Sequence, residues 1–188
     1  MKKDKYVSAI IPLLKEEGLG LSMDAIAKKI GVTKKTLYNR FESKTQMIDD
    51  CLVRISYQFR ESLECMDDVS LPVDGRFVIG VKTLRQYFRD MSPSFMRDLL
   101  KYYPQKASLD HSAGSKYFEE KIAGNIAAGK REGVYRSEID EGLFAKYISF
   151  SIFSFFQKEV MMANTYSADF YFEQVINFNV NALLIKLK

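Results

Sequence analysis

Three features of the sequence predict an all-α fold. Apolar residues recur at three- and four-residue intervals along nearly the whole chain, glycines and prolines punctuate that pattern, and no stretch alternates polar and apolar residues as a half-buried strand would. The expected architecture is a three-helix head built on a helix-turn-helix, followed by a larger helical body, with about nine helices in all. With 188 residues, 47% of them hydrophobic and 28% charged, the chain can bury a sizeable core. The division is expected at residues 1–46 for the head and 47–188 for the body.

In the head, residues 4–17 carry Tyr6, Ala9, Ile10, Leu13 and Leu14 at helical spacing. Pro12 interrupts them. Because an interior proline costs about 3 kcal/mol, the first helix is expected to bend there or start late. Gly18 and Gly20 mark a loop. Met23, Ile26, Ala27 and Ile30 then give a second helix one apolar face, closed by Gly31, which can adopt the left-handed conformation that ends a helix. Thr33 is placed to cap a third helix that turns Leu37 and Phe41 inward and leaves Lys34, Lys35, Thr36, Asn39 and Arg40 outside. The stretch Ser22–Lys44 therefore reads as two short helices across a tight turn. A surface hairpin has the same spacing; the cationic, donor-rich outer face is what suits the second helix to a DNA major groove.

Beyond the head, Ser43-Lys44-Thr45-Gln46 has capping-box spacing, and Ile48, Leu52, Ile55, Phe59, Leu63 and Met66 continue it as a long helix. Val69 to Pro72 is a break, with Ser70 expected as a cap and Pro72 at a helix start. Phe77, Val81, Leu84 and Phe88 form the next stripe. Ser92-Pro93 opens a helix that stops before Pro104. Phe118, Ile122 and Ile126 keep the helical period despite Gly114, Gly124 and Gly129, and Gly133 ends that segment. Ser137-Glu138-Ile139-Asp140 resembles a capping box before a helix reaching to around Ala163, and Ser167 is placed to cap the last helix, running to around Leu187.

Ala25-Ile26-Ala27, Gly31-Val32-Thr33, Thr36-Leu37-Tyr38, Phe41 and Ser43-Lys44 resemble, in fixed register, the N-terminal domain of the tetracycline-repressor (TetR) family of bacterial transcription regulators. The resemblance implies that Tyr38 and Lys44 touch DNA phosphates and that Thr33, Lys34, Lys35, Thr36 and Asn39 lie at or near base edges. With Ser22, these form the expected DNA-binding set. Lys35 and Arg40 depart from the family's usual small residue and histidine.

Charge is distributed to match. Residues 1–46 hold ten Lys/Arg against five Asp/Glu, whereas the whole chain carries a net charge of only +4, so the basic end is the one suited to a polyanion. Enzyme chemistry has little to build on. His111 is the sole histidine and sits in the polar stretch Asp110-His111-Ser112, read as a surface loop. The carboxylate pairs Glu16-Glu17, Asp67-Asp68 and Glu119-Glu120 read as solvated charge, and no phosphate-binding glycine motif is present. Cys51 and Cys65 stand fourteen positions apart, about 21 Å along a helix, too far for a disulfide. Reduced thiols, no signal peptide and no apolar run long enough to span a bilayer lead to the expectation of a cytoplasmic protein without metal or cofactor.

The body is rich in aromatic residues. Tyr87, Phe88, Phe95, Tyr102, Tyr103, Tyr117, Phe118 and Tyr147 are the candidates for lining a small-molecule cavity, although an ordinary aromatic core has the same composition. The TetR resemblance implies such an effector and a homodimer. A dimer interface is also expected in residues 139–187, because Tyr147 to Phe156 contains no charge and the last helix is apolar over an unusually wide arc. Its expected members are Phe144, Ile148, Ile152, Phe155, Phe172, Ile176, Leu183 and Leu187. The expectation as a whole is a repressor that binds a palindromic operator as a homodimer and is released by a small organic effector. A constitutive DNA-binding protein, or a helical enzyme or adaptor, remains open on sequence.

Overall fold

A computed structural model describes residues 2–104, 113–161 and 166–185. Among them are nine α-helices: α1 (Lys2–Glu17), α2 (Met23–Lys29), α3 (Lys34–Tyr38), α4 (Lys44–Leu63), α5 (Val73–Arg89), α6 (Pro93–Tyr102), α7 (Ala113–Arg131), α8 (Glu141–Met161) and α9 (Ala168–Leu183). A 3-10 helix, Glu64–Asp67, follows α4. The all-α expectation holds. The one sheet-like contact among the described residues is an antiparallel bridge between Tyr135 and Leu184, where Arg136 N–H donates to Leu183 O at 2.9 Å and Ile185 N–H to Val134 O at 3.0 Å.

The chain forms two compact units. The first takes the chain through Phe59 and again from Asp90 through α6; the second takes Arg60–Arg89 and the chain after α6. This grouping differs from the division at residue 46 that the sequence leads one to expect.

In the first unit, Ile10 and Leu14 of α1, Ile26 of α2, Leu37 of α3, Phe41 and Met47 are wholly enclosed. These are the positions that helical spacing selects. α1 runs through Pro12 without interruption, contrary to the expected late start. Pro12 and Ser8 both face solvent, so the carbonyl that loses its helical partner is open to water while Ile10, Ile11 and Leu14 hold the helix on the core. α6 joins this unit by polar contacts at the end of α1. Ser92 N–H donates to Lys15 O at 2.8 Å, and Asp98 Oδ2 accepts from Leu19 N–H at 2.7 Å and Gly20 N–H at 3.1 Å. Gly18 has φ +91°, and a Cβ there would stand 2.7 Å from the Asp98 carboxylate, so the loop requires glycine both for its backbone and for the approach of Asp98.

In the second unit, α5 packs on α7 and α9, and α7 on α8. Phe77, Val81, Leu84, Phe118, Ile122, Ile126, Ile148, Ile152 and Leu183 are fully buried there. A buried polar relay crosses this core: Asn125 Nδ2 donates to Val73 O at 2.9 Å, and Tyr135 OH donates to Asn125 Oδ1 at 3.2 Å. The Tyr135 ring lies where a side chain at Gly129 would be, which explains a glycine late in α7.

Capping follows the sequence in part. Ser92 Oγ accepts from Phe95 N–H at 3.1 Å and Ser167 Oγ from Phe170 N–H at 3.3 Å, as expected. Two assignments are corrected. Ser70 does not cap α5 but donates to Asp68 through both its N–H and its hydroxyl. At α8 the cap is Asp140 rather than Ser137, with Leu143 N–H donating to Asp140 Oδ1 at 2.7 Å. A carboxylate adjoining the helix start outcompetes a hydroxyl three residues upstream. The last helix ends at Leu183, short of the expected Leu187, because the bridge to Tyr135 draws the following residues into extended backbone.

Candidate nucleic-acid interface

The turn between α2 and α3 is built from local hydrogen bonds. Ser22 Oγ caps α2 by accepting from Ala25 N–H at 3.2 Å. Gly31, at φ +73°, closes the helix, with Gly31 N–H donating to Lys28 O and Val32 N–H to Ala27 O. Thr33 Oγ1 then caps α3 by accepting from Thr36 N–H at 3.1 Å. Leu37 and Phe41 are both fully buried, so the rotation of α3 about its axis is set by the core and its opposite face is directed outward.

That outward face carries Lys34, Lys35, Asn39 and Arg40, all exposed, with Tyr38 at 48% exposure. Thr36 is half-buried, its hydroxyl 2.8 Å from that of Thr33, so it serves the cap as well as the face. Ser22 is likewise an exposed residue occupied as a cap. Lys44 is half-buried at the start of α4. Near it, Ser43 Oγ accepts from Gln46 N–H at 3.1 Å, and Gln46 Oε1 reaches back to Glu42 N–H at 2.9 Å, one residue beyond a standard capping box. The structure thus brings the expected DNA-binding residues onto or beside one exposed surface of the first unit.

One participant was not singled out from sequence. Asp24 Oδ2 lies 2.7 Å from Lys34 Nζ, and that hydrogen bond raises the lysine's pKa. The pairing crosses the turn, so ten-residue spacing gives no hint of it. Lys34 also lies 5.8 Å from the centre of the Tyr38 ring.

The aromatic candidates of the body divide. Phe88 stacks on Phe156 at 4.0 Å and meets Phe153 edge-on at 5.4 Å, and Phe153 in turn meets Phe118 at 6.3 Å. Tyr87 adjoins Phe88 at 5.9 Å, and burial pushes its hydroxyl pKa well up. Phe153 and Phe156 are members of this cluster that the sequence reading passed over, since any apolar residue of α8 could equally have faced outward. Phe95, by contrast, is a core residue of the first unit, where Tyr103 is half-buried and Tyr102 exposed. Tyr117 is drawn to a surface cluster, with its hydroxyl donating to Glu64, Arg60 over its ring at 4.8 Å, and Lys121 paired with Glu64 and Asp67. Tyr147 is 57% exposed on the flank of α8 opposite Ile148 and Ile152, so it does not join the Phe88 cluster.

The expected dimer-interface residues need a similar correction. Ile148, Ile152 and Leu183 have no exposed surface, and Phe155 and Phe172 are buried as well. They pack α8 against α9 and the rest of the second unit, assisted by the Phe155–Tyr171 stack at 4.0 Å and by Tyr171 OH donating to Ser151 O at 2.9 Å. Phe144 and Ile176 are half-buried, and Leu187 lies outside the described residues. Among the described residues of α8 and α9, the large apolar side chains left open are instead Leu143, Tyr147 and Phe150 on one flank of α8 and Phe170 and Phe178 on α9. The spacing 143, 147, 150 is itself helical; sequence could not say which of two apolar flanks faced inward. His111 lies outside the described residues. No helix among the described residues is long and apolar enough to cross a membrane.

Comparison with known proteins bears on the same region. Residues 7–51 match the family described as bacterial regulatory proteins, tetR family. Tetracycline repressor protein class D of Escherichia coli is 29% identical over 103 residues, covering 54% of this chain and 41% of that protein. Tetracycline repressor protein class H of Photobacterium damsela subsp. piscicida matches to the same extent, so the chain spans about two-fifths of the length of the curated relatives it matches. In fold, a transcriptional regulator from Cytophaga hutchinsonii superposes with a TM-score of 0.77 at 16% identity, covering 98% of this chain and 99% of that one. A TetR transcriptional regulator from Chloroflexus aurantiacus gives 0.74 at 14% identity, covering 98% and 96%. At those identities the superpositions establish a shared fold, while the family match is confined to the head. Residues 7–51 thus match the head of the tetR family of bacterial regulatory proteins, and the fold is one shared with solved transcriptional regulators.

Proposed function

We propose that the protein is a transcription regulator, a repressor that binds a palindromic operator as a homodimer and is released by a small organic effector. In this reading residues 1–46 are the DNA-binding domain, 47–188 serve effector binding and dimerisation, and the protein acts in the cytoplasm without catalysing a reaction. The observation that carries the reading is the fixed outward face of α3, with Lys35, Tyr38, Asn39 and Arg40 exposed over a buried Leu37 and Phe41. Such a helix presents donors at the depth of a major groove, while Lys44 and the Tyr38 hydroxyl are suited to phosphates.

Dimerisation is supported by the open apolar residues of α8 and α9. One head reads only a few base pairs, and two heads on half-sites about 34 Å apart require a rigid junction. An effector is supported by the Phe88 cluster in the second unit, which offers ring faces beside the half-buried Tyr87, whose hydroxyl pKa is raised by burial.

Selection of duplexes from a random pool by the purified protein, followed by fluorescence anisotropy on the selected and a scrambled duplex across a salt series, tests this function. The expected result is a twofold-symmetric consensus bound with steep salt dependence and strong preference over the scrambled duplex. Equal affinity for both duplexes would refute it.

A further inference from the structure

The ion pair between Asp24 and Lys34 has no evident work to do in the fold. Both side chains are about as exposed as free surface groups, at 58% and 60%, and an exposed pair of this kind adds little to stability. Its position is what singles it out. Asp24 is the only acidic residue from Gly18 through Phe41, a stretch holding Lys28, Lys29, Lys34, Lys35 and Arg40. A carboxylate on the surface meant for a polyanion repels that polyanion, and this one also occupies a cation: Lys34 Nζ is 2.7 Å from Asp24 Oδ2 and 5.8 Å from the centre of the Tyr38 ring. Among the described residues, Lys35 and Arg40 have no such ion pair.

We propose that Asp24 is a specificity-determining residue of the DNA-binding face, holding the Lys34 ammonium on the protein so that it does not serve as a general phosphate contact. The inference rests on the DNA-binding function proposed above. Phosphate contacts carry affinity for any sequence, whereas base contacts discriminate. A lysine already paired must give up one anion to gain another, a nearly even exchange, so it adds little to binding of arbitrary DNA. Its ammonium has three protons. It can keep one on Asp24 and direct another at a base acceptor in the groove, which a matched site supplies and an unmatched one does not. Asp24 thereby lowers non-specific binding and orients Lys34 for the operator.

The test uses the full-length protein, the selected duplex and a scrambled duplex of equal length, with anisotropy between 0.05 and 0.5 M salt. Asp24→Asn keeps size and polarity but releases Lys34. On the scrambled duplex it is expected to steepen the log affinity against log salt slope by about 0.9, so the variant's advantage over wild type grows about eightfold for each tenfold dilution of salt. The selected duplex is expected to gain less, and discrimination to fall. Lys34→Gln alone is expected to leave the scrambled-duplex slope unchanged, since its cation is already held.

Three results overturn the inference: parallel salt slopes for Asp24→Asn and wild type, an equal gain on both duplexes, or the same gain when Asp24→Asn is added to Lys34→Gln. The last would mean that Asp24 acts by repulsion alone and not through Lys34. If Asp24→Asn melts early, Lys34→Gln decides by itself, because a slope lowered by about 0.9 would make Lys34 an ordinary phosphate contact. A wild type that binds neither duplex refutes the DNA-binding function, and this inference with it, which separates the two failures.

Discussion

Phe150→Asp is the most informative perturbation of the proposed dimer. Phe150 is 66% exposed on α8, between the exposed Tyr147 and the half-buried Ser154. A phenylalanine side chain offers about 200 Å². Covering the two-thirds of it that is open removes about 130 Å² from water per subunit, and at about 25 cal/mol per Å² this is ~3 kcal/mol, or ~6 kcal/mol over two symmetric copies. Replacing it with aspartate forfeits that term and sets two like charges in the interface. The dimer should therefore weaken by at least about 10⁴-fold, since each 1.4 kcal/mol is a factor of ten. Sedimentation velocity at micromolar concentration is the assay: the wild type is expected as a dimer and the variant as a monomer with an almost unchanged melting transition at matched conditions, apart from the part contributed by association. Ile152→Asp is the contrast, because Ile152 has no exposed surface and a charge there should unfold the monomer itself. A Phe150→Asp protein that sediments as a dimer, or a monomeric wild type, would refute the assignment of this face.

Four further outcomes are expected. Lys35→Ala should change which operator is preferred, whereas Lys44→Ala should weaken all sequences alike and lower the salt slope by about 0.9; a changed consensus for Lys44→Ala, from repeat selection, would reverse the roles. Asp98→Ala removes the acceptor for Leu19 N–H and Gly20 N–H and should destabilise the first unit by about 1–3 kcal/mol, read as a lower denaturant midpoint, with Asp98→Asn intermediate. Burial pushes the Cys51 thiol up to about 12, so at pH 8 only about one molecule in 10⁴ carries the thiolate; iodoacetamide should label Cys51 only on unfolding, with the half-buried Cys65 reacting first, by peptide mass analysis. Finally, a ligand that releases the operator must itself be bound more weakly when operator is present, by the same factor, and calorimetry with and without DNA measures both sides of that linkage.

The helix-turn-helix was legible because its information is local. Gly31 ends α2 through a left-handed backbone that glycine adopts freely, Thr33 caps α3 within its first turn, and Leu37 and Phe41 are separated by one helical turn, so each signal lies within a few residues of its effect. The same locality made the outer face of α3 readable as the complement of its buried one. For the opposite reason, the late start expected at Pro12 did not occur. Its local cost is real, but packing of Ile10 and Leu14 on the rest of the first unit outweighs it.

The remaining features depend on partners distant in the chain. Periodicity identified α8 and α9 as apolar nearly all round, yet the choice between Ile148–Ile152 and Leu143–Tyr147–Phe150 as the inner flank was made by the packing of α7 on α8, which no spacing within α8 reports. The same holds for Asp98 on the loop after α1, for Phe153 and Phe156 against Phe88, and for Asp24 on Lys34. By itself, then, the sequence determined the helices, several of their caps and the outward face of α3, because 3.6-residue periodicity and terminal hydrogen bonds are properties of short segments. Only the tertiary structure decided which apolar flank is core, which aromatic residues meet and which cation is already paired, because those outcomes are set by the competition of long-range contacts for the same surfaces.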